Sequence, residues 1–171
     1  MTQNLVLIGM PGAGKSTLGH LLAEKFSRPF CDTDTLLVNS FSKSLQQMLD
    51  ELGYLRMREL EAQVICAHTF AAGAVIATGG SVVYRNDAMQ HLKRNGICIY
   101  LSAQQTTLSS RINNLDTRGF NCAPGMDFAA VYQEREPLYR HYADVTVAVD
   151  HALPSQTLAE LEVALMGYLR P

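Results

Sequence analysis

At 171 residues, 47% hydrophobic and 18% charged, the chain is expected to form one soluble globular domain, 1–171, with room for a sizeable core but not for two. A formal charge of -2 without a basic cluster excludes a general polyanion binder, and no apolar run approaches a membrane span, so neither nucleic acid nor a membrane is an expected partner. Four scattered cysteines without C-x-x-C spacing, and first residues that enter a strand with no charged leader, point to a reduced, cytoplasmic setting.

Asn4 to Ile8 reads as a short strand buried on both faces, because apolar residues follow one another without alternation until Gly9 stops them. Gly9-Met10-Pro11-Gly12-Ala13-Gly14-Lys15-Ser16 then matches the phosphate-binding loop, Gly-x-x-x-x-Gly-Lys-Ser, with a strand before it and a helical pattern after. The glycines let the backbone curl until several N–H groups face one phosphate. Lys15 would place its charge on the outer phosphates, the Ser16 hydroxyl would hold Mg2+, and the helix starting near Lys15 adds the positive end of its dipole. Gly12, Ala13, Gly14, Lys15, Ser16 and Thr17 are therefore the candidate phosphate-binding residues. A capping turn that binds nothing would explain Gly12 and Gly14, but not a lysine and a hydroxyl at that spacing.

The first helix ends at Arg28-Pro29, and a second strand starts at Phe30-Cys31 and runs into Asp32-Thr33-Asp34. Carboxylates at a strand's carboxyl end are candidates for chemistry, and one of them can also cap the helix that follows. A capping box, Ser44 to Gln47, opens a short helix through about Leu52; Gly53 separates it from a longer one, Tyr54 to about Phe70. On that helix Arg58 and Glu61 share a face, so the carboxylate is expected to hold the guanidinium as a fork for a substrate carboxylate. Ala74 to Ala77 is a further buried strand ending in Thr78-Gly79-Gly80-Ser81, where the glycine pair marks either a close approach or a tight turn.

A helix over Asn86 to Arg94 and a strand over Gly96 to Leu101 follow, and Ser102 to Gln105 has the spacing of a second capping box opening a helix to about Asn113. The segment 114–126 lacks periodicity and holds Arg118; beside a phosphate loop it reads as a lid. A helix from about Asp127 to Tyr142, a strand from Val145 to Val149, and a last helix with Leu158, Leu161 and Leu165 on its buried stripe complete the chain. This alternation predicts a three-layer α/β/α domain around a mostly parallel five-stranded sheet, with the strand-end residues on one edge, and a monomer.

In this order and spacing the phosphate loop, Asp32-Thr33-Asp34, Arg58-x-x-Glu61, Thr78-Gly79-Gly80, Arg118 and Arg135-Glu136-Pro137-Leu138-Tyr139 resemble the shikimate kinase family. These are small phosphate-loop kinases of the nucleoside monophosphate kinase structural class. The resemblance implies a P-loop NTPase fold with a mobile lid, and transfer of phosphate from ATP, with Mg2+, to the 3-hydroxyl of shikimate, a cyclic hydroxy acid. It further implies that Ser16 and, through water, Asp32 surround the metal, and that Asp34 receives substrate hydroxyls and orients or deprotonates the attacking one. Arg58 and Arg135 would bind the substrate carboxylate above Gly79 and Gly80. Arg118 would reach the transferring phosphate, and Arg111 would lie against adenine.

The chain differs from the family's usual pattern at Tyr54, where a glutamate is usual, and at Met57, where a phenylalanine precedes the arginine. It differs also at Ser81, where a third glycine is usual, and at Gly119, where a proline follows the lid arginine. Two further readings share the same residues: a kinase for another small hydroxy acid, quinate-like or a sugar acid, and a nucleotide-binding regulatory relative without turnover.

Overall fold

The computed structural model describes residues 3–112, 120–150 and 153–168. Five strands, β1 (Asn4–Ile8), β2 (Phe30–Asp32), β3 (Val75–Ala77), β4 (Gly96–Ser102) and β5 (Val145–Ala148), form one sheet in the order β2-β3-β1-β4-β5, with every pairing parallel. β1 is central, with Leu5 opposite Val75 on one side and Ile97 on the other. All of its residues are buried, as the unbroken apolar run requires of a strand covered on both faces.

Among the described residues seven helices accompany the strands, six between them and the last after β5: α1 (Lys15–Lys25), α2 (Thr33–Phe41), α3 (Leu45–Ala67), α4 (Asn86–Lys93), α5 (Gln105–Arg111), α6 (Phe128–Tyr142) and α7 (Pro154–Leu165). The crossover through α1 moves toward β2, whereas those through α4 and α6 move the other way. Right-handed connections therefore place α1 opposite α4 and α6. The packing agrees, since α1 lies against α7 while α4 and α6 lie against β4, with α3 beside α4. Every strand then delivers its carboxyl end to the same edge of the sheet.

Local sequence explains most element limits. Gly53 holds φ +73° inside α3 and breaks it into the two helical pieces expected there, and the Ser44 capping box is formed with Gln47. The longer piece stops at Ala67 rather than Phe70. The second capping box does not form. Ser102 is still in β4, where Val149 donates its N–H to the Ser102 carbonyl, and α5 starts only at Gln105. The Asp150 carboxylate takes the exposed N–H of Gln104 at 2.9 Å. A single 3-10 turn, Val82–Tyr84, follows the glycine pair and was not apparent from periodicity. Beside the main core, Leu37, Met48 and Met57 form a small separate cluster between α2 and α3, so Met57 is an apolar packing residue. No described helix is long and apolar enough to cross a membrane.

Candidate active site

The loop between β1 and α1 is shaped by Gly12 and Gly14, at φ +84° and +85°, conformations that L side chains rarely adopt. A Cβ on Gly12 would also sit 3.1 Å from Ile112 Cγ1 and 3.2 Å from the Leu108 carbonyl oxygen. Lys15 arches back, its Nζ donating to the Gly9 carbonyl at 2.8 Å and the Met10 carbonyl at 2.9 Å. The ammonium is thus held over the loop rather than released to solvent. Above it lies a space of about 270 Å³ bordered by Gly12, Gly14, Lys15, Ser16, Thr17 and Arg111. A neighbouring recess of about 180 Å³ is bordered by Ala13, Leu18, Val149, Pro154 and again Arg111, whose Nη2 donates to the Val149 carbonyl at 2.7 Å. Arg111 therefore joins a polar chamber to a more apolar one.

At the end of β2 the two readings of Asp32 are both realised. Its Oδ1 accepts the N–H of Asp34 at 2.9 Å and that of Thr35 at 3.3 Å, capping α2, while its Oδ2 accepts the Ser16 hydroxyl at 2.6 Å. A hydroxyl and a carboxylate oxygen side by side on an exposed edge are a hard donor pair. Such a pair fits magnesium, which takes one or two protein ligands beside phosphate oxygens and water. Asp34 follows on the first turn of α2 and borders the phosphate space.

Asp34 also borders a third cavity, of about 420 Å³, together with Glu61, Gly79, Gly80, Ser81 and Arg135, with Leu37 and Met57 on its apolar side. The glycine pair is needed for space. A Cβ on Gly79 would stand 2.4 Å from Glu61 Oε1 and 2.8 Å from Asp34 Oδ1, and one on Gly80 would stand 3.0 Å from Arg135 Nη1. The close approach read from the sequence is therefore made by the site's own charged side chains. Tyr139, stacked on Tyr100, donates its hydroxyl to the Gly80 carbonyl at 2.5 Å and pins this loop from below.

Arg135 is 1% exposed, yet its guanidinium reaches the cavity. Nε donates to the Tyr84 hydroxyl at 3.3 Å and Nη2 to the Asn121 carbonyl at 2.8 Å. Arg58 comes from α3 to the same carbonyl, through Nε at 3.3 Å and Nη2 at 3.0 Å, and its guanidinium lies 3.5 Å over the Tyr84 ring and 5.0 Å from that of Tyr54. Arg58 flanks the cavity rather than bordering it.

Glu61 does not hold Arg58. No hydrogen bond or ion pair joins them; Glu61 turns inward and accepts the Ser81 hydroxyl at 2.6 Å. The reason is position: Glu61 is 5% exposed beneath Gly79, while Arg58 is drawn outward onto Tyr84. Burial pushes the Glu61 carboxyl up to about 7. Tyr84 and Asn121 were not singled out from sequence. Asn121 lies in an aperiodic segment that offers no pattern, and Tyr84 owes its place in the site to Arg58 and Arg135, both distant in sequence. Of the predicted site residues, Arg118 lies outside the described residues, as do Gly119 and the first half of the expected lid.

This fold and site define a phosphate-loop α/β kinase: a parallel sheet whose carboxyl edge carries an anion-binding loop beside a second, acid-sized cavity. The family model for shikimate kinase matches residues 11–165, and the chain belongs to the shikimate kinase family. It is 34% identical over 172 residues to the shikimate kinase of Pseudomonas syringae pv. tomato, covering 99% of each chain. With the shikimate kinase of Symbiobacterium thermophilum it shares 32% identity over 162 residues, 92% of this chain and 93% of the relative. Among solved structures, shikimate kinase from Acinetobacter baumannii in complex with shikimate superposes with a TM-score of 0.87 at 25% identity, over 99% of this chain and 97% of that one. Thymidylate kinase from Candida albicans, at 10% identity and TM-score 0.64 over 97% and 92% of the two chains, shares the fold.

Proposed function

We propose that this protein transfers the γ-phosphoryl group of ATP to the 3-hydroxyl of shikimate. The observation that carries the reading is the shared wall: Asp34 and Gly80 border both the phosphate space and the cavity that Arg135 lines. A substrate whose carboxylate meets Arg135 then presents a hydroxyl to Asp34 at the boundary with the phosphates. Family membership and the shikimate-bound neighbour supply the identity of the acid.

The loop N–H groups, Lys15 and the amino end of α1 hold and neutralise the phosphates, and Arg111 borders the recess that suits the adenine. Ser16 and Asp32 hold Mg2+, which supplies charge neutralisation on the outer phosphates when bound. Asp34 accepts a hydrogen bond from the substrate hydroxyl and receives its proton as the oxygen bonds to γ-phosphorus. The bond from that phosphorus to the ADP oxygen breaks, and Lys15, with Arg118 from the lid, meets the charge left behind. Arg135 and Arg58 discriminate for a carboxylate against uncharged polyols, and Gly79 and Gly80 form the floor. The working unit is a single-domain cytoplasmic monomer, in keeping with one complete sheet in a modest chain.

Ser81 favours attention to a second substrate, another small hydroxy acid, because its side chain occupies part of the cavity wall where glycine is usual. Turnover of shikimate, quinate and gluconate measured side by side tests the assignment, with shikimate expected to be preferred. A larger kcat/KM for quinate or gluconate would transfer the assignment to that acid, and ATP binding without turnover of any acid would leave a regulatory nucleotide binder.

A further inference from the structure

Among the described residues, buried side-chain oxygens without a hydrogen-bond partner occur at Glu61 Oε1 and Asn121 Oδ1. Both residues border the 420 Å³ cavity, and Ser81 connects them. A serine hydroxyl has one proton to give. Here it goes to Glu61 Oε2 at 2.6 Å, so Ser81 Oγ accepts from Asn121 Nδ2 at 3.0 Å. That fixes the orientation of the Asn121 amide and leaves Oδ1 as its unsatisfied end. An acceptor that is dry and unpaired loses its hydration with nothing in return, and so marks a place where a ligand donor is missing.

The chemistry of that donor follows from its neighbours. The bound acid of the reading above meets Arg135 with its carboxylate, and its other polar groups are hydroxyls. Asp34 and Asn121 Oδ1 offer acceptors, as does Glu61 Oε1 when its carboxyl is ionised. A neutral hydroxyl is the donor that suits them, and a ring acid with more than one hydroxyl can meet several at once.

We propose that Asn121 is a substrate-binding, specificity-determining residue whose Oδ1 accepts a hydrogen bond from a non-reacting hydroxyl of the bound acid, and that Ser81 is the positioning residue that holds it. The inference rests on the shikimate reading above and deepens it. It gives the serine that replaces a glycine a function: Ser81 ties Asn121, in the second half of the expected lid segment, to the wall of the substrate cavity.

The test uses Asn121→Ala and Ser81→Ala in the full chain, with shikimate and its 4-deoxy and 5-deoxy analogues, read by steady-state kinetics and by calorimetric binding. Asn121→Ala should raise the shikimate KM and Kd about tenfold, the loss of one ordinary hydrogen bond, with kcat and the ATP KM little changed. The wild type should bind one of the two analogues more weakly than shikimate, and Asn121→Ala should no longer distinguish that analogue from shikimate. Ser81→Ala should shift the same discrimination in the same direction to a smaller extent. It removes only a hydroxyl, and carries the test should Asn121→Ala melt at an unworkably low temperature.

An Asn121→Ala enzyme with an unchanged shikimate KM and with wild-type penalties for both analogues would overturn the inference. A wild type that binds shikimate but does not phosphorylate it would overturn the proposed function instead, and the calorimetric affinities would still decide the role of Asn121. A wild type that does not bind shikimate overturns both.

Discussion

Arg58 and Arg135, carried by different helices, converge on one acceptor, the main-chain carbonyl of Asn121, at 3.0 and 2.8 Å through their Nη2 groups. Tyr84 separates and steadies them, with Arg58 3.5 Å over its ring and Arg135 5.2 Å from it. Two like charges held this close around a neutral oxygen form a site whose electrostatics favour an anion.

Replacing these arginines should therefore affect the acid and not the nucleotide. Arg135→Ala is expected to raise the shikimate KM roughly 100-fold and Arg58→Ala roughly tenfold, the range of one charge-assisted hydrogen bond, with the ATP KM changed less than about twofold. The order follows from geometry, because Arg135 borders the cavity and Arg58 only flanks it. Arg135→Lys should not restore affinity, since a compact ammonium lacks the planar fork that lets Nε and Nη2 reach Tyr84 and Asn121 while a third N–H faces the carboxylate. Equal effects on acid and ATP would remove the carboxylate assignment.

Asp34 and Lys15 should act on the chemical step. Asp34→Asn keeps the shape of the wall and is expected to lower kcat by about 10²- to 10⁴-fold, the usual contribution of a general base, while the shikimate KM moves far less. Lys15→Met should abolish measurable turnover. Turnover at saturating substrates, with single-turnover rates beside it, distinguishes these outcomes from weakened binding; a near-normal kcat for Asp34→Asn would take proton transfer away from that residue.

Gly79→Ala tests the packing of the floor. The added Cβ would meet Glu61 Oε1 at 2.4 Å and Asp34 Oδ1 at 2.8 Å, so one of these carboxylates must move. A loss of about 1–3 kcal/mol in stability is expected from the overpacking, together with a fall in kcat because Asp34 is displaced. Urea unfolding and turnover measured on the same preparation check both. A wild-type kcat would mean that the Asp34 position seen here is not required.

The buried Glu61 carboxyl makes stability depend on pH in a defined direction. Burial raises it from 4.5 to about 7, so between those values the folded protein binds more protons than the unfolded chain. Stability contributed by this group is therefore complete below about pH 4.5 and declines as pH rises toward 7, by an amount on the order of a few kcal/mol. Glu61→Gln should flatten that decline and melt at a higher temperature than the wild type above pH 7. Parallel melting curves at pH 5, 6, 7 and 8 decide it; the same slope in both proteins would assign the decline to another group.

The fold was legible because most strands are short apolar runs that end at or near a glycine or a carboxylate, β4 being the exception, and each long helix has a period or a cap. Gly53 shows the strength of such signals: a single glycine correctly divided α3 in two. Ser102 shows their weakness. Its capping-box spacing matched by chance, and the sheet kept Ser102 as a strand residue whose carbonyl accepts from Val149. Within the site, the loop residues and Asp32 were legible because their chemistry depends on neighbours in sequence. The helical pairing of Arg58 with Glu61 was not, since it assumed that both side chains stay on the helix surface. Tertiary partners instead draw one onto Tyr84 and bury the other against Ser81. Asn121 could not be found at all from one chain, because its importance lies in contacts with Ser81, Arg58 and Arg135, all distant in sequence.

In the proposed reaction the phosphates of ATP and the hydroxyl of a carboxylate-bearing ring meet across Asp34. The most direct measurement is release of ADP from ATP and Mg2+ in a coupled assay, with shikimate as acceptor and with quinate and gluconate in parallel. Saturable, Mg2+-dependent turnover with shikimate, slowed by about 10²- to 10⁴-fold in Asp34→Asn and lost when Mg2+ is chelated, is the expected result. A preparation that binds ATP yet releases ADP no faster with shikimate than without it would contradict the account.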